Sequence, residues 1–511
     1  MKKIKIFLIS LLSVLMFSSC DDYLELYPDN AQSSDQYWTS KEDVAAVIGA
    51  GYVKLRGSVE YLFVWGEMRA SSMDIYNAAE DPAKSTQQVK QMLTKADNRY
   101  AQWGNMYQVI NMANSVLKYA PAVQDVDPSF TTEEMNGYFA EAYFLRSIAY
   151  FYLVRTFENV PFVTQPYVSD EASFDLPQTS ATEILASIKA DLEAVIAPNG
   201  DPSKSVAKDF YPDTNPDNPT HTKGRATKWA IYALLADISL WQEEYDDCIK
   251  YCERIIESEY MTLLSKDQWF QNFYPGNSTE SIFEIQYNRS LSQTNSFVDW
   301  FYTKAQFVPS ENTVELFNRT SVLGDVRGGG ATLVYSSTPL IWKYLGIDIF
   351  SVAPTIRAST NFDQNFIIYR LAEIHMMKAE AHIMKGQSSY LDAMAEIKIV
   401  RDRAGIVETL LPYSTEYEML AFLYDEKVRE FCGEGKAWFD LLRIAKSKNY
   451  TYKEFLIRQV TLTTPTNMYG VIRSKLSNNG SHYLPIHRNE INANGLLRQN
   501  QYYKDLGYDA K

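Results

Sequence analysis

Residues 225–258, RATKWAIYALLADISLWQEEYDDCIKYCERIIES, contain the pattern that decides the fold. Apolar residues recur here at steps of three and four, first up to Trp241 and again from Tyr245, which is the period of an amphipathic helix. The polar stretch at Glu243 and Glu244 interrupts the pattern, so two antiparallel helices are expected to meet there. Cys248 and Cys252 lie four residues apart and would face the same side of the second helix.

The same pattern recurs on both sides of this pair. Residues 136–163 place Tyr138, Ala142, Leu145, Ala149 and Tyr152 on one helical face, and the pattern stops at Pro161. Residues 181–198 predict another helix, and residues 370–386 with 393–405 predict a further pair. The pairs place small residues at helix contacts and aromatic residues beside them, and so resemble tetratricopeptide units. A mostly α fold with a tetratricopeptide-like helix-pair scaffold follows.

Long insertions separate the helical units, so a scaffold that carries loops is favoured over a regular solenoid. Residues 71–99 show little apolar period and predict a surface segment. The longest stretch without a helical pattern runs from about 268 to 366 and holds Gly328–Gly330 together with many aromatic residues. Long irregular segments persist mainly where they carry function, so the binding site is expected in these regions.

The first residues, MKKIKIFLISLLSVLMFSSC, predict a secretory signal. Three lysines precede an apolar run too short to span a bilayer, and small residues lead to Cys20. The arrangement resembles the lipobox of bacterial lipoproteins, which implies cleavage before Cys20 and acylation of its thiol; an ordinary signal peptide is the alternative. We therefore divide the chain into a signal peptide (1–19), a lipidated leader (20–38) and one domain (39–511). Thr39–Glu42 predicts a capping box at the start of that domain.

Charge and cysteine content narrow the classes of function. The formal net charge is −14, and loss of residues 1–19 removes three lysines. Such a charge opposes binding to nucleic acid. Cys248, Cys252 and Cys432 are too few for a disulfide framework, and the first two are interpreted as buried packing residues instead of metal ligands. No cofactor or metal is predicted; a loose calcium loop at Asp213, Asn215 and Asp217 is the open alternative.

Candidate ligand-binding residues lie in both loop regions. A sugar offers an apolar ring face and hydroxyls in one plane, so its site combines aromatic rings with amides or carboxylates. The chain has 36 Tyr, 25 Phe and 9 Trp, most of which must be core. The best mixtures of the two side-chain types are Asn295, Asp299, Trp300 and Tyr302 in the long region, and Asp74, Tyr76 and Asn77 in the first.

Signals for catalysis are poor. The sequence has no HExxH, no GxSxG and no Walker loop, and no pair of carboxylates stands out as an acid and a base. Trp438 is expected in the core, and the charged residues Glu426, Arg429, Glu430, Asp440 and Arg443 are expected to form interhelical ion pairs. No catalytic residue is assigned, and a glycoside hydrolase is disfavoured.

The order of blocks along the chain resembles the SusD/RagB-type outer-membrane lipoproteins. The blocks that carry the resemblance are CDDYLE, YWTSKEDVAAVIGAGY, the run from Trp103 to Asn114, AEAYFLRSIAYFYLVRTFENVP, GRATKWAIYALLADISLW, RLAEIHMMKAEAHIMKG, VRDRAGI, DEKVREFCGEGKAWFDLLR and YLPIHRNEINANGLLRQNQYY. The resemblance implies four tetratricopeptide-like helix pairs, a shallow ligand site in the loops, and a lid over a SusC-like TonB-dependent transporter. It also implies attachment to the outer membrane through lipid on Cys20, facing the exterior.

Two hypotheses follow. In the first, the protein captures a nutrient, an oligosaccharide or polysaccharide, and delivers it to the transporter. In the second, it is a helical-repeat surface protein that binds a peptide or another protein along its concave face. An exposed ring at Trp300 is expected from sugar binding and would distinguish the two. The sequence names neither the sugar nor the transporter.

Overall fold

The computed structural model describes residues 37–167, 175–213, 215, 218–304, 306–334, 339–349, 355–357 and 363–508. The predicted signal peptide, Cys20 and the leader up to residue 36 lie outside the described residues.

Helices dominate the described part of the chain. They are α1 (Lys41–Arg56), α2 (Val59–Glu67), α3 (Ala83–Lys90), α4 (Gly104–Val126), α5 (Thr132–Phe157), α6 (Ala181–Ile196), α7 (Thr220–Gly224), α8 (Lys228–Trp241), α9 (Tyr245–Ile256), α10 (Glu311–Ser321), α11 (Leu371–Lys385), α12 (Tyr390–Arg403), α13 (Glu416–Phe431), α14 (Ala437–Tyr450), α15 (Lys453–Thr461), α16 (Tyr469–Leu476), α17 (Arg488–Ala493) and α18 (Gln501–Asp505).

The strands are short and pair two by two. They are β1 (Met73–Ile75), β2 (Val160–Pro161), β3 (Gln178–Thr179), β4 (Ser281–Ile285), β5 (Phe307–Pro309), β6 (Leu333–Val334), β7 (Leu340–Ile341) and β8 (Phe366–Arg370). The pairs β1–β5, β2–β3, β4–β8 and β6–β7 are antiparallel. Each described strand has one partner strand. The strands therefore form two-stranded ribbons within the loops and no larger sheet.

Helix hairpins form the scaffold, as predicted. The α8–α9 pair turns at Gln242–Glu244, and α11–α12, α4–α5 and α13–α14 are likewise neighbours in the chain joined by short connections. Helix α9 also packs on α11, which joins two hairpins into a continuous stack. The mostly α, tetratricopeptide-like fold is therefore confirmed.

Local capping explains where several helices begin. Ser40 caps α1 through a reciprocal capping box with Asp43, so Asp43 is the acidic partner in place of the predicted Glu42. Thr131 and Glu134 form the equivalent box at the start of α5. Each box satisfies backbone N–H groups that a helix start leaves unpaired.

The residues interpreted as core are buried. Cys248 and Cys252 are fully buried on one face of α9, and Trp438 is fully buried on α14. The packing interpretation of these three residues is confirmed.

A buried ion network connects α13 with α14 and with the loop region, where the sequence predicted ion pairs between helices. The Glu430 carboxylate accepts from Arg327 (2.9 Å), Arg370 (2.5 Å) and Arg403. Asp440 pairs with Lys427 at 3.0 Å and with Arg443. Because several cations surround each carboxylate, both stay ionised although burial opposes ionisation. These ion pairs therefore connect α13 with α14 and with residues of the loop region.

Two loop predictions need correction. The long region 268–366 is not wholly irregular, because it contains α10 and the strands β4 to β7. Residues 71–99 are not only a surface segment: Ser71, Ser72 and Met73 are fully buried, and α3 follows. The reason is tertiary, since β1 is held by pairing with β5 and not by its own apolar pattern.

Candidate functional site

The β1–β5 pairing brings the two loop regions that hold the predicted site residues next to each other. Asp74 pairs with Val308 and Ile75 with Phe307, and the Tyr76 N–H donates to the Gln306 carbonyl at 2.9 Å. The ribbon therefore ends with Tyr76 beside the segment that follows Tyr302. The exposed residues of segments 76–77 and 299–304 therefore lie in neighbouring parts of the fold, and together they are called the candidate surface.

Two aromatic rings on this surface are open to solvent. Tyr76 is 63% exposed and Tyr302 is 46% exposed. Polar side chains accompany them: Asp299 pairs with Lys304 at 3.2 Å, and the Asn77 side chain accepts from the Ala79 N–H at 3.1 Å. Exposed rings beside carboxylate and amide groups can stack on a sugar face and bind its hydroxyls.

Trp300 does not have the expected exposure. Its side chain is only 3% exposed and packs against Phe63 and Phe297, with ring centres 5.3 Å away in both cases. The Lys304 N–H donates to the Asp299 carbonyl five residues back, which makes the segment a wide π turn. In this turn Trp300 and Phe301 face the core while Tyr302 faces out, so the expectation of an exposed Trp300 is wrong and Tyr302 is the open ring of this segment.

A recess of about 370 Å³ lies beside the Trp300 ring. Its walls are the end of α1, the first turn of α2 and the segment 292–297. Arg56, Glu60 and Tyr287 line it together with Trp300. Trp300 therefore contributes a wall to the recess without offering an open ring face.

The charged groups of the recess are held in place. Glu60 accepts hydrogen bonds from the Tyr100 hydroxyl and from Arg99, both at 2.9 Å. The Arg56 guanidinium donates to the Gln286 carbonyl at 3.4 Å, and partial burial lowers its pKa. Fixed charged groups of both signs in the recess suit a neutral polar ligand better than a wholly apolar one.

Asn295 stabilises the loop that forms one wall of the recess. Its Nδ2 donates to the Gln364 carbonyl at 2.6 Å, and its Oδ1 accepts from the Phe297 N–H at 3.1 Å. Since both ends of the amide are used internally, Asn295 holds the loop in position.

Asp74 belongs to a second cavity on the other side of β1. Its Oδ1 accepts from the Ile75 N–H at 2.8 Å and lies 3.9 Å from the Lys90 ammonium. The predicted residues thus divide between an open rim (Tyr76, Asn77, Asp299, Tyr302), the recess (Asn295, Trp300) and this second cavity.

Sequence reasoning missed Arg56, Glu60 and Tyr287. The first two lie at the end and the start of ordinary amphipathic helices, where charged residues are common. No sequence signal separates them from solvated helix ends. Only the packing of α1 and α2 against segment 292–297 places them in the lining of the recess.

The calcium alternative gains no support from Asp213. Its carboxylate accepts from the N–H groups of His221 (2.6 Å) and Thr222 (3.1 Å) and so caps α7. Asp217 lies outside the described residues. Over the described ranges, no group of three or more His, Cys, Asp or Glu residues is arranged to hold a metal ion.

In the part of the chain that the structure covers, none of the helices combines the length and the apolar character that crossing a membrane requires.

Two family models match the chain. One, described as the SusD family, covers residues 335–503, and the other, described as "starch-binding associating with outer membrane", covers residues 22–240. Together they include most of the helical scaffold and both walls of the recess that α1 and α2 provide.

Individual relatives align over most of their length. A SusD-like protein P38 from Formosa agariphila is 25% identical over 500 residues, which are 87% of this chain and 92% of the relative. The crystal structure of a SusD superfamily protein from Bacteroides thetaiotaomicron superposes with a TM-score of 0.71 at 20% identity, covering 91% of this chain and 99% of that one. Surface glycan-binding protein A from Bacteroides uniformis superposes with a TM-score of 0.70 at 23% identity, covering 91% and 100%.

The block order along the sequence, the helix-hairpin scaffold and the two family matches agree with one another. The chain belongs to the SusD/RagB-type proteins.

Proposed function

We propose that the protein is a surface lipoprotein that captures an oligosaccharide and delivers it to a partner TonB-dependent transporter. The observation that carries the proposal is the pair of exposed rings, Tyr76 and Tyr302, on the surface that the β1–β5 ribbon creates. Two open rings on one surface can each stack on a sugar unit. The recess beside Trp300 is large enough to take one further unit.

The polar groups near these rings support a sugar ligand. Asp299 and Asn77 can exchange hydrogen bonds with hydroxyls, and Glu60 and Arg56 offer an acceptor and a donor in the recess. The printed name of the Bacteroides uniformis relative, a surface glycan-binding protein, points to the same class of ligand.

Family membership supports the proposed location and the proposed partner. The family description places its members with the outer membrane, and Cys20 would supply the lipid that holds the mature chain there. A TonB-dependent transporter of the SusC type is the partner that this family membership suggests.

The proposal assigns no catalytic step. Glu430 and Asp440, two carboxylates of the helical core, are each bound by arginine or lysine and buried. A general acid needs a proton to donate at neutral pH, and such ion pairs keep a carboxylate ionised. Capture and transfer of a ligand require neither group.

A glycan screen tests the proposal. The mature protein, solubilised in detergent, is applied to a panel of neutral and acidic oligosaccharides, and each hit is titrated by calorimetry and assayed for shortened products. Binding of an intact glycan is the expected result. Cleavage would overturn the non-catalytic role. Binding of peptides, without binding of any glycan in the panel, would favour the helical-repeat alternative.

A further inference from the structure

A further cavity, of about 280 Å³, lies between the start of α4, the segments next to β2 and β3, and α17. We call it the α4–α17 cavity. It shares no lining residue with the recess beside Trp300 or with the cavity at Asp74. Its walls are mainly apolar side chains, among them Tyr107, Ile110, Val163, Leu176, Ala493 and Leu497.

Most polar groups of this cavity already have partners within the protein. The Tyr107 hydroxyl donates to the Pro161 carbonyl at 2.7 Å. Asn111 uses both ends of its amide on the backbone of Tyr167, at 2.7 and 3.3 Å. Asn494 likewise binds two backbone groups, at 2.8 and 2.9 Å. These side chains hold the walls together and leave few donors or acceptors for the hydroxyls of a sugar.

Glu490 is the exception among the polar groups. Its carboxylate lines the cavity and accepts a hydrogen bond from the Trp103 indole N–H. A carboxylate offers about four acceptor positions, so one donor leaves most of them unused. The side chain is only partly buried, and Gly104 and Ala493 at the edge of the cavity are exposed. A ligand that enters from solvent can therefore reach the Glu490 oxygens.

The charge of Glu490 has no compensating cation in the described part of the chain. No lysine or arginine there lies within ion-pair distance of the carboxylate, and burial raises the pKa of Glu490. A partly buried carboxylate without a cation is costly to ionise, and a positive group beside it removes much of that cost.

The walls and the carboxylate together define a class of ligand. Apolar walls suit an apolar body, and one carboxylate with unused acceptor positions suits one cationic group. Since a cavity of about 150 Å³ holds a benzene ring, 280 Å³ accommodates a ring with a short side chain. Aromatic walls add attraction for a cation.

We propose that the α4–α17 cavity binds a small amine with an apolar body, with the ammonium group of the amine on the Glu490 carboxylate. The ligand supplies the positive charge that the described surroundings of Glu490 lack. This site goes beyond glycan capture, because its lining is separate from the candidate surface and from the recess.

Calorimetric titration of the mature protein in detergent with phenethylamine, 2-phenylethanol and 3-phenylpropionate tests the proposal. The three probes share a phenyl ring on a short chain and differ in charge at neutral pH. Phenethylamine is expected to bind at least about tenfold more tightly than either of the others, as one charge-assisted hydrogen bond would give.

Glu490→Gln is expected to remove this preference and to leave binding of 2-phenylethanol unchanged, because the amide keeps the shape of the side chain and loses its charge. Glu133→Gln is the matched control, because Glu133 is exposed on α5 and does not line the cavity. If Glu490→Gln fails to fold, Glu490→Asp replaces it, since aspartate withdraws the charge by one methylene group and should weaken binding of the amine alone.

Equal binding of the three probes would show an apolar cavity without charge selectivity and would overturn the assignment of an amine. Absence of binding of all three to the wild type would overturn the site itself. Tighter binding of N-acetyl-lysinamide than of phenethylamine would replace the small amine by the lysine side chain of a peptide. The glycan screen is read separately, so each of these results leaves the proposed capture function standing.

Discussion

The Tyr76 N–H donates a hydrogen bond to the Gln306 carbonyl at 2.9 Å, and this contact extends the β1–β5 ribbon to the exposed surface. It places a residue of the first loop region against a residue of the second. The candidate ligand surface exists because these two segments pair, and neither segment forms it alone.

Tyr302→Ala is expected to weaken binding of the captured glycan about tenfold, because a stacking platform contributes on the order of 1–2 kcal/mol. Tyr76→Ala should behave similarly. Calorimetry with the best ligand of the screen measures the change. Tyr413→Ala is the matched control, since its ring is 43% exposed in a different loop. Unchanged affinity in both Tyr76 and Tyr302 variants would remove this surface from the site.

Trp300→Ala is expected to act on stability. The ring is 3% exposed and lies among Phe63, Phe297 and Phe307, so its removal leaves a cavity that costs about 3–5 kcal/mol. Denaturant unfolding measures the loss. A Trp300→Ala variant with unchanged stability and weakened glycan binding would instead indicate that the Trp300 ring stacks on the ligand.

Gly66→Ala is expected to destabilise the protein by at least about 3 kcal/mol, the upper part of the range for overpacking. A Cβ at Gly66 would lie 1.8 Å from the Gly435 carbonyl oxygen, and backbone cannot rotate away as a side chain can. Gly49→Ala on α1 is the control, because a Cβ there meets nothing within 4 Å. That substitution should be neutral or slightly stabilising. Equal melting temperatures of the two variants would contradict the close approach of α2 to Gly435.

Asp440→Asn is expected to lower stability near neutral pH and to lose this effect in acid. Burial opposes ionisation of Asp440, but Lys427 and Arg443 outweigh it and lower the pKa to about 2 from an unfolded value of 3.8. The folded carboxylate therefore adds stability, on the order of 2 kcal/mol, that is fully present above pH 4 and lost as pH falls towards 2.

Unfolding curves of the wild type and Asp440→Asn between pH 2 and 7 test this pH dependence of the free energy of unfolding. Their difference should shrink as the pH falls. Asp246→Asn, at a side chain that is 86% exposed, should show little pH-dependent difference. A gap that widens in acid would contradict the ion-pair account of Asp440.

Cys20→Ser is expected to release the protein from the membrane fraction while leaving a folded chain, because the lipid on Cys20 is the proposed anchor. Cell fractionation and metabolic labelling with a fatty acid measure the change. Labelled protein that persists in the variant would contradict acylation at this residue. Unlabelled protein that stays in the outer membrane only when the transporter is present would indicate retention by the partner.

Much of the scaffold could be predicted because its determinants are local. The α8–α9 hairpin follows from apolar spacing and from the polar turn at Glu243, and Cys248 and Cys252 share a buried face because they are four residues apart. The start of α1 was predicted to within one residue, since the capping box is Ser40 with Asp43 and not Thr39 with Glu42.

The candidate site could be predicted only as two regions. Trp300, Phe301 and Tyr302 follow one another, and a pattern of three aromatic residues does not indicate which ring faces out. The π turn and the cluster around Phe63 decide that Trp300 is buried and Tyr302 is open.

The sequence by itself determined the helix hairpins and the family, because periodicity, caps and motif order are properties of neighbouring residues. Only the tertiary structure decided that β1 pairs with β5 and that Arg69 lies buried without a carboxylate partner among the described residues. Strand pairing and charge compensation join residues that are far apart in the chain. Their energies depend on distance and burial in the folded protein, which a local pattern does not contain.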